Sequence, residues 1–225
     1  MSISTTVVVN AAGLGSRMGL NRPKALVEIE GRPLIAWQLA MLDGVEDVRV
    51  VLGYRAAEVA DVVFAIRPDA TVVLNHEFAS TGTAASFLRG AAGARGAILS
   101  LDCDLLVHPH DLRAFIEEPA PMLGVFPAQS LEPVLVAIDE QGGRSMATSF
   151  TRDQLPGEGW EWSGLVSLRH PSDAPEGARG HVFEMVRPLL PLPTREIRAR
   201  EVDYEEEIDV MADWIRSLID EGVLS

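Results

Sequence analysis

Three observations predict an α/β fold with a mainly parallel sheet in the first half and a small antiparallel lobe in the second. Up to about residue 118, short β-branched runs alternate with helix-length apolar patterns, which is the sequence form of parallel strands joined by crossover helices. A glycine-rich run, Ala11-Ala12-Gly13-Leu14-Gly15-Ser16-Arg17-Met18, directly follows the first of those strands. After about Pro119, strand-length segments succeed one another through turns such as Glu140-Gln141-Gly142-Gly143, with no long helix between them.

The elements follow in order. Thr5 to Asn10 reads as a buried strand that ends at the glycine run. Pro33 to Met41 reads as a helix carrying Leu34, Ile35, Trp37, Leu39 and Met41. Val48 to Leu52 is a second strand, Ala56 to Ile66 a helix and Thr71 to Leu74 a third strand. Thr83 to Ala92 is helical, capped by Thr81 or Gly82. Ala97 to Leu101 is a fourth strand that delivers Asp102 and Asp104 to its carboxyl end, where open parallel sheets bind ligands. Met122 to Phe126, Pro133 to Ile138, Arg144 to Phe150 and Trp162 to Leu168 make the antiparallel lobe. His181 to Leu190 returns to a helical pattern, Ile197 to Asp203 is a strand, and Glu205 to Glu221 closes as an amphipathic helix. His108 and His110 are expected in a loop.

Composition excludes several classes. At 225 residues and 47% hydrophobic, the chain can bury a full core as one domain over residues 1–225. The formal charge of -14 argues against nucleic acid, because phosphate backbones reward clustered cations. No apolar run is long enough for a membrane span, and Met1 to Thr6 carries no basic residue, so a cytoplasmic location without membrane contact is expected. One cysteine, Cys103, excludes an internal disulfide and reads as a small buried residue. The order of oligomerisation is left open.

Positive charge is delivered almost wholly by arginine; Lys24 is the sole lysine. It lies in Asn21-Arg22-Pro23-Lys24-Ala25-Leu26, just past the glycine run, and so marks a place where a compact ammonium does what a planar guanidinium cannot. The run is not the dinucleotide fingerprint, since Met18 occupies the third glycine position. Nor is it a P-loop, since no Gly-Lys-Ser/Thr follows. It offers a tight turn whose N–H groups approach phosphates, with Arg17 for a bidentate contact.

Ala11 to Met18 followed by Pro23-Lys24 resembles the signature of the nucleotidyltransferases that couple a nucleoside triphosphate to a sugar phosphate or an alcohol phosphate, the MobA-like and sugar-phosphate nucleotidyltransferase superfamily. Within it, Asn75-His76-Glu77-Phe78, Thr81 to Ser86, Asp102-Cys103-Asp104 and Glu201-Val202-Asp203 are most similar to the phosphocholine and phosphonate cytidylyltransferases. The resemblance implies a Rossmann-like, GT-A type nucleotidyltransferase fold with a nucleotide-binding half at about 1–118, an acceptor-binding lobe at about 119–195 and a C-terminal strand and helix at about 196–225. It implies transfer of a nucleoside monophosphate, CMP from CTP favoured, to a small phosphate or phosphonate acceptor.

The same resemblance assigns residues. Lys24 and Arg17 are the catalytic cations, Lys24 at the α-phosphate and Arg17 with the loop amides at the leaving pyrophosphate. Ala11, Ala12, Gly13, Leu14, Gly15 and Ser16, with Gly82, Thr83, Ser86 and Asp102, bind nucleotide. Asp104 and Asp203 hold Mg²⁺, with Glu201 on the same face as Asp203 as a further candidate. Arg152 stands where a substrate-phosphate lysine is often met. Trp160, Glu161, Trp162 and Tyr204 offer an aromatic, acidic enclosure for a cationic acceptor head, or else cover a core edge.

Alternatives stay open at this point. Gly82-Thr83 replaces the paired asparagines of the phosphocholine enzymes and is similar instead to the sugar-nucleotide enzymes, so a sugar 1-phosphate with UTP, GTP or dTTP is a second reading. A GT-A glycosyltransferase would also use an Asp-x-Asp triplet, for which Asp102-Cys103-Asp104 qualifies, and a non-catalytic nucleotide-binding subunit would keep the loop alone.

Overall fold

A computed structural model describes residues 5–15, 22–153 and 159–224. Strand β1 (Thr6–Ala11) has every residue buried. Its side chains alternate between two cores: Val7 and Val9 join one apolar cluster, and Val8 joins the other. Burial on both faces is the condition that selects a continuous β-branched run for a central parallel strand. Each fully buried valine contributes about 1.5–3 kcal/mol of transfer free energy.

A short hairpin, β2 (Glu28–Ile29) and β3 (Arg32–Pro33), leads into α1 (Leu34–Met41). The Trp37 indole donates to the Ile29 carbonyl at 2.8 Å, which pins the hairpin to the helix. Next come β4 (Asp47–Leu52), α2 (Ala56–Ile66), β5 (Thr71–Leu74), α3 (Phe78–Ala91) and β6 (Ile98–Asp102). Strands β5, β4, β1 and β6 are parallel neighbours in that order. The chain therefore leaves β1 to one side and returns on the other, which creates a crevice at the carboxyl ends of β1 and β6.

Beyond β6 the sheet does not stop. After β7 (Leu105–Val107) and α4 (Pro109–Glu117), strands β8 (Met122–Pro127), β9 (Leu135–Gln141), β10 (Arg144–Thr151) and β11 (Trp160–Leu168) extend it. Strand β11 pairs antiparallel with both β6 and β8, so the antiparallel lobe continues the parallel half as one nine-stranded mixed sheet. Helix α5 (Val182–Val186) is followed by β12 (Leu192–Glu196), inserted between β8 and β10. Finally β13 (Ala199–Glu201) pairs antiparallel with β7 as a separate ribbon, and α6 (Ile208–Asp220) ends the fold.

Several sequence expectations are corrected here. The strand expected over Ile197 to Asp203 contracts to Ala199–Glu201, because its partner β7 is only three residues long. The helix expected from Glu205 begins as a 3₁₀ turn, Glu205–Glu207, and becomes α-helical at Ile208. The helical stretch from His181 is a five-residue α-helix followed by a 3₁₀ turn, Arg187–Leu189. Of the two histidines expected in a loop, His108 is the single connecting residue between β7 and α4, and His110 is helical. His108 is the 3%-exposed N-cap of α4, its ring accepting the His110 N–H.

Candidate active site

The loop after β1 turns back on itself at Gly15, whose φ of +63° places it in the left-handed region that favours glycine. A Cβ there would sit 3.2 Å from the Lys24 backbone nitrogen. The loop thus packs directly on the 3₁₀ turn Lys24–Leu26, which buries Lys24 to 9% exposure. Ser16 and Arg17 lie outside the described residues.

Lys24 reaches the carboxyl end of β6. Its Nζ donates to Asp104 Oδ2 at 2.7 Å and to Asp203 Oδ1 at 2.6 Å. Burial alone would lower its pKa, but the two carboxylates more than offset that and raise it, so the ammonium is firmly charged. Carboxylate oxygens of Asp104, Glu201 and Asp203 all lie within 4.8 Å of one another. The Val202 N–H donates to the Asp104 carbonyl at 3.1 Å, tying the two acidic segments together. The Gln38 side chain, 1% exposed, donates to the carbonyls of Asp102 and Leu105 and fixes the turn that carries Asp104.

This crowding has electrostatic consequences. Burial, then Asp104 and Asp203, push the Glu201 carboxyl well up. Burial and then Asp104 likewise push Asp102 up to about 7, against the pull of the Asn10 amide that donates to Asp102 Oδ1 at 3.0 Å. Asp104 Oδ1 is buried without a hydrogen-bond partner. An all-carboxylate donor set with an unsatisfied buried oxygen fits a hard divalent cation. Burial raises the Cys103 thiol well above its ordinary range, so it is no nucleophile.

A cleft of about 380 Å³ opens over this centre. Of the residues singled out from sequence, it brings together Ala11, Ala12, Gly13, Gly15, Lys24, Gly82, Thr83, Ser86, Asp102, Asp104, Arg152, Glu161, Trp162, Glu201, Asp203 and Tyr204. Leu14 is 47% exposed and is not in the lining, and neither is Trp160. Of the four residues of the expected aromatic and acidic enclosure, Glu161, Trp162 and Tyr204 line the cleft. Glu161 is 2% exposed, and its Oε2 accepts the N–H groups of Gln129 at 3.0 Å and Ser130 at 3.1 Å, which anchors the 129–130 segment at the cleft. Trp162 packs edge-on against Phe150 in the second core.

Sequence reasoning ranked Glu201 below Asp203, although their i, i+2 spacing was the signal that both share a face. It missed Asn10, Phe78, the 130–132 loop and His181, which all line the cleft. Gly82 also gains a role that composition could not show. Its φ of +76° interrupts α3, and a Cβ there would sit 2.3 Å from the Gly180 carbonyl oxygen. The Ala84 N–H donates to that same oxygen at 3.0 Å, which clamps the start of the helix to the segment before α5.

The model of the MobA-like NTP transferase domain family matches residues 7–160. The bifunctional protein GlmU of Ruegeria sp. (strain TM1040) is 36% identical over 102 residues, covering 44% of this chain and 23% of that protein. The chain thus spans about a quarter or less of the length of the curated relatives it matches first. The inositol-1-phosphate CTP transferase from T. maritima superposes with a TM-score of 0.77 at 18% identity, covering 100% of this chain and 99% of that one. The CTP:phosphocholine cytidylyltransferase LicC of Streptococcus pneumoniae gives 0.73 at 18% identity, with 95% and 100% covered. Among the described residues, no helix is long and apolar enough to cross a membrane.

Proposed function

This chain belongs to the MobA-like NTP transferase family, and from that premise we propose that it transfers a nucleoside monophosphate, CMP from CTP, to a small phosphate or phosphonate acceptor and releases pyrophosphate. The observation that carries the reading is the buried Lys24 ammonium, 2.7 and 2.6 Å from Asp104 and Asp203 at the mouth of the strand ends. We assign the nucleotide end of the cleft to residues 1–118, whose Ala11, Ala12, Gly13, Gly15, Gly82, Thr83 and Ser86 line it. The acceptor end is assigned to residues 119–195, with Arg152 and Trp162 in the lining, together with Tyr204 from the C-terminal segment.

The acceptor's phosphoryl or phosphonyl oxygen is already ionised, so the reaction needs charge neutralisation and alignment more than a general base. Lys24 suits that task. Its carboxylate partners keep it protonated, so it acts as a fixed positive charge on the α-phosphate and the attacking oxygen as negative charge builds there. Arg17 and the loop amides take the leaving pyrophosphate. Asp104, Asp203 and Glu201 would hold Mg²⁺, which when bound supplies further charge stabilisation to the phosphates.

The second reading, a sugar 1-phosphate acceptor with UTP, GTP or dTTP, is favoured by one observation, the Gly82-Thr83 pair at the nucleotide end. One experiment tests both. Pyrophosphate release is measured with Mg²⁺ across CTP, UTP, GTP, ATP and dTTP, against phosphocholine, aminoethylphosphonate, hydroxyethylphosphonate and several sugar 1-phosphates. Acceptor-dependent release that falls about 10²–10³-fold in Lys24→Ala is expected. In a separate arm with nucleotide-sugar donors, release of nucleoside diphosphate would make the chain a glycosyltransferase instead, and silence in every arm with nucleotide still bound would make it a binding subunit.

A further inference from the structure

A second cavity, about 470 Å³, adjoins the cleft and shares Arg152, His181 and Phe183 with it. Phe183 is 5% exposed and packs edge-on against Phe150, ring centroids 6.0 Å apart. The Arg152 guanidinium carbon lies 5.1 Å from its ring centroid, that of Arg187 lies 5.7 Å away, and the His181 ring stacks on it at 5.7 Å. Three cationic or ionisable groups therefore converge on one aromatic ring in a protein of net charge -14.

Their partners matter. Among the described residues, Lys24 is the other cation lining either cavity, and it is already paired with Asp104 and Asp203. Among the described residues, neither Arg152 nor Arg187 has a carboxylate within ion-pair distance, nor does the His181 ring. Two acids also line the second cavity, Asp153 and Glu184. Glu184 is engaged, its Oε2 accepting the His181 N–H at 2.8 Å. A guanidinium stacked on an aromatic face keeps its N–H edge free, and ordering by the ring lowers the entropy cost of gripping an anion.

We propose that Arg152, Arg187 and His181, arrayed around Phe183, form an anion-binding pocket beside the cleft that takes a carboxylate or phosphoryl group. One source for that group is the acceptor itself, which would then carry a second anion besides the one that attacks. This version rests on the transferase reading above. The other source is a free phosphate acting as an effector, which does not depend on that reading.

Arg187 makes the test clean, because it lines the second cavity and not the cleft. Binding is measured by calorimetry on the full chain with three probes: 3-phosphonopropionate, its one-anion counterpart propylphosphonate, and inorganic phosphate. Loss of a charged bidentate contact costs about tenfold in affinity. If the acceptor brings the anion, 3-phosphonopropionate binds about tenfold more tightly than propylphosphonate, and Arg187→Ala erases the difference with the melting temperature unchanged. If the anion is a free effector, inorganic phosphate shows the Arg187 dependence and the two phosphonates do not differ. Binding of all three probes indifferent to Arg187→Ala overturns the pocket. Pyrophosphate release, assayed in parallel, reports separately on the transferase reading, so absent turnover with Arg187-dependent binding of inorganic phosphate refutes that reading and leaves the effector version of the pocket standing.

Discussion

Lys24→Met keeps an unbranched apolar stem, one atom shorter, and removes the charge, leaving Asp104, Glu201 and Asp203 crowded with no ammonium beside them. At 2.7 Å and an effective dielectric of 20, each Lys24 pair carries about 6 kcal/mol of Coulomb attraction, most of it cancelled by desolvation. Breaking a fully buried pair costs about 3–5 kcal/mol. Here the Asp104 and Asp203 side chains are 20% and 26% exposed, so water screens the survivors and about 2–3 kcal/mol is the expected loss. For a chain of this size that corresponds to roughly 4–12 °C in melting temperature. The assay is thermal unfolding in a chelator and again with saturating Mg²⁺. The divalent cation is expected to restore more stability to Lys24→Met than it adds to the wild type, because the ammonium no longer competes for the same oxygens. Equal melting in chelator, or equal Mg²⁺ gains in both proteins, would refute the argument that the lysine and the acidic trio form one charge-balanced unit.

Gly82→Ala forces a Cβ against the Gly180 carbonyl at a positive φ and is expected to cost about 2–4 kcal/mol by urea unfolding. Glu161→Ala strips the buried acceptor from the N–H groups of Gln129 and Ser130; about 1–2 kcal/mol of stability is lost, and hydrogen exchange at Gln129 and Ser130 accelerates. Asp111 is held below the usual carboxylate range by hydrogen bonds from Arg198, against burial. A depressed folded pKa contributes stability that is fully present above the unfolded value near 4 and is lost as pH falls through the lower folded value. Asp111→Asn is therefore expected to be about 1 kcal/mol less stable at neutral pH, a difference that closes in acid, and denaturant midpoints at both pH values check it.

Much of the nucleotide half is legible because its signals are local. Helix α2 spans Ala56–Ile66 and β5 spans Thr71–Leu74, the same bounds that the apolar pattern gives. Helix α4 was hidden, since its start, His108-Pro109-His110, offers none of the usual capping residues and β7 leads straight into it. Strand β12 was hidden for a different reason. Its Leu192-Pro193-Thr194-Arg195-Glu196 has no strand pattern of its own and is drawn into the sheet by neighbours on both sides, β8 and β10.

The sequence by itself determined the loop, the lone lysine, the aspartate triplet and the strand-by-strand alternation of the first half, because glycine geometry, charge type and period-two burial are properties of a few adjacent residues. Only the tertiary structure decided which charges meet. Lys24 and Asp203 are 179 positions apart in the chain, yet their atoms lie 2.6 Å apart, and Glu161 lines the cleft while its carboxylate accepts the Gln129 and Ser130 N–H groups, 32 and 31 positions away. The convergence of Arg152, His181 and Arg187 on Phe183 was likewise invisible in the chain. Side-chain partnership is set by the packing of elements remote in sequence, and no local pattern encodes it.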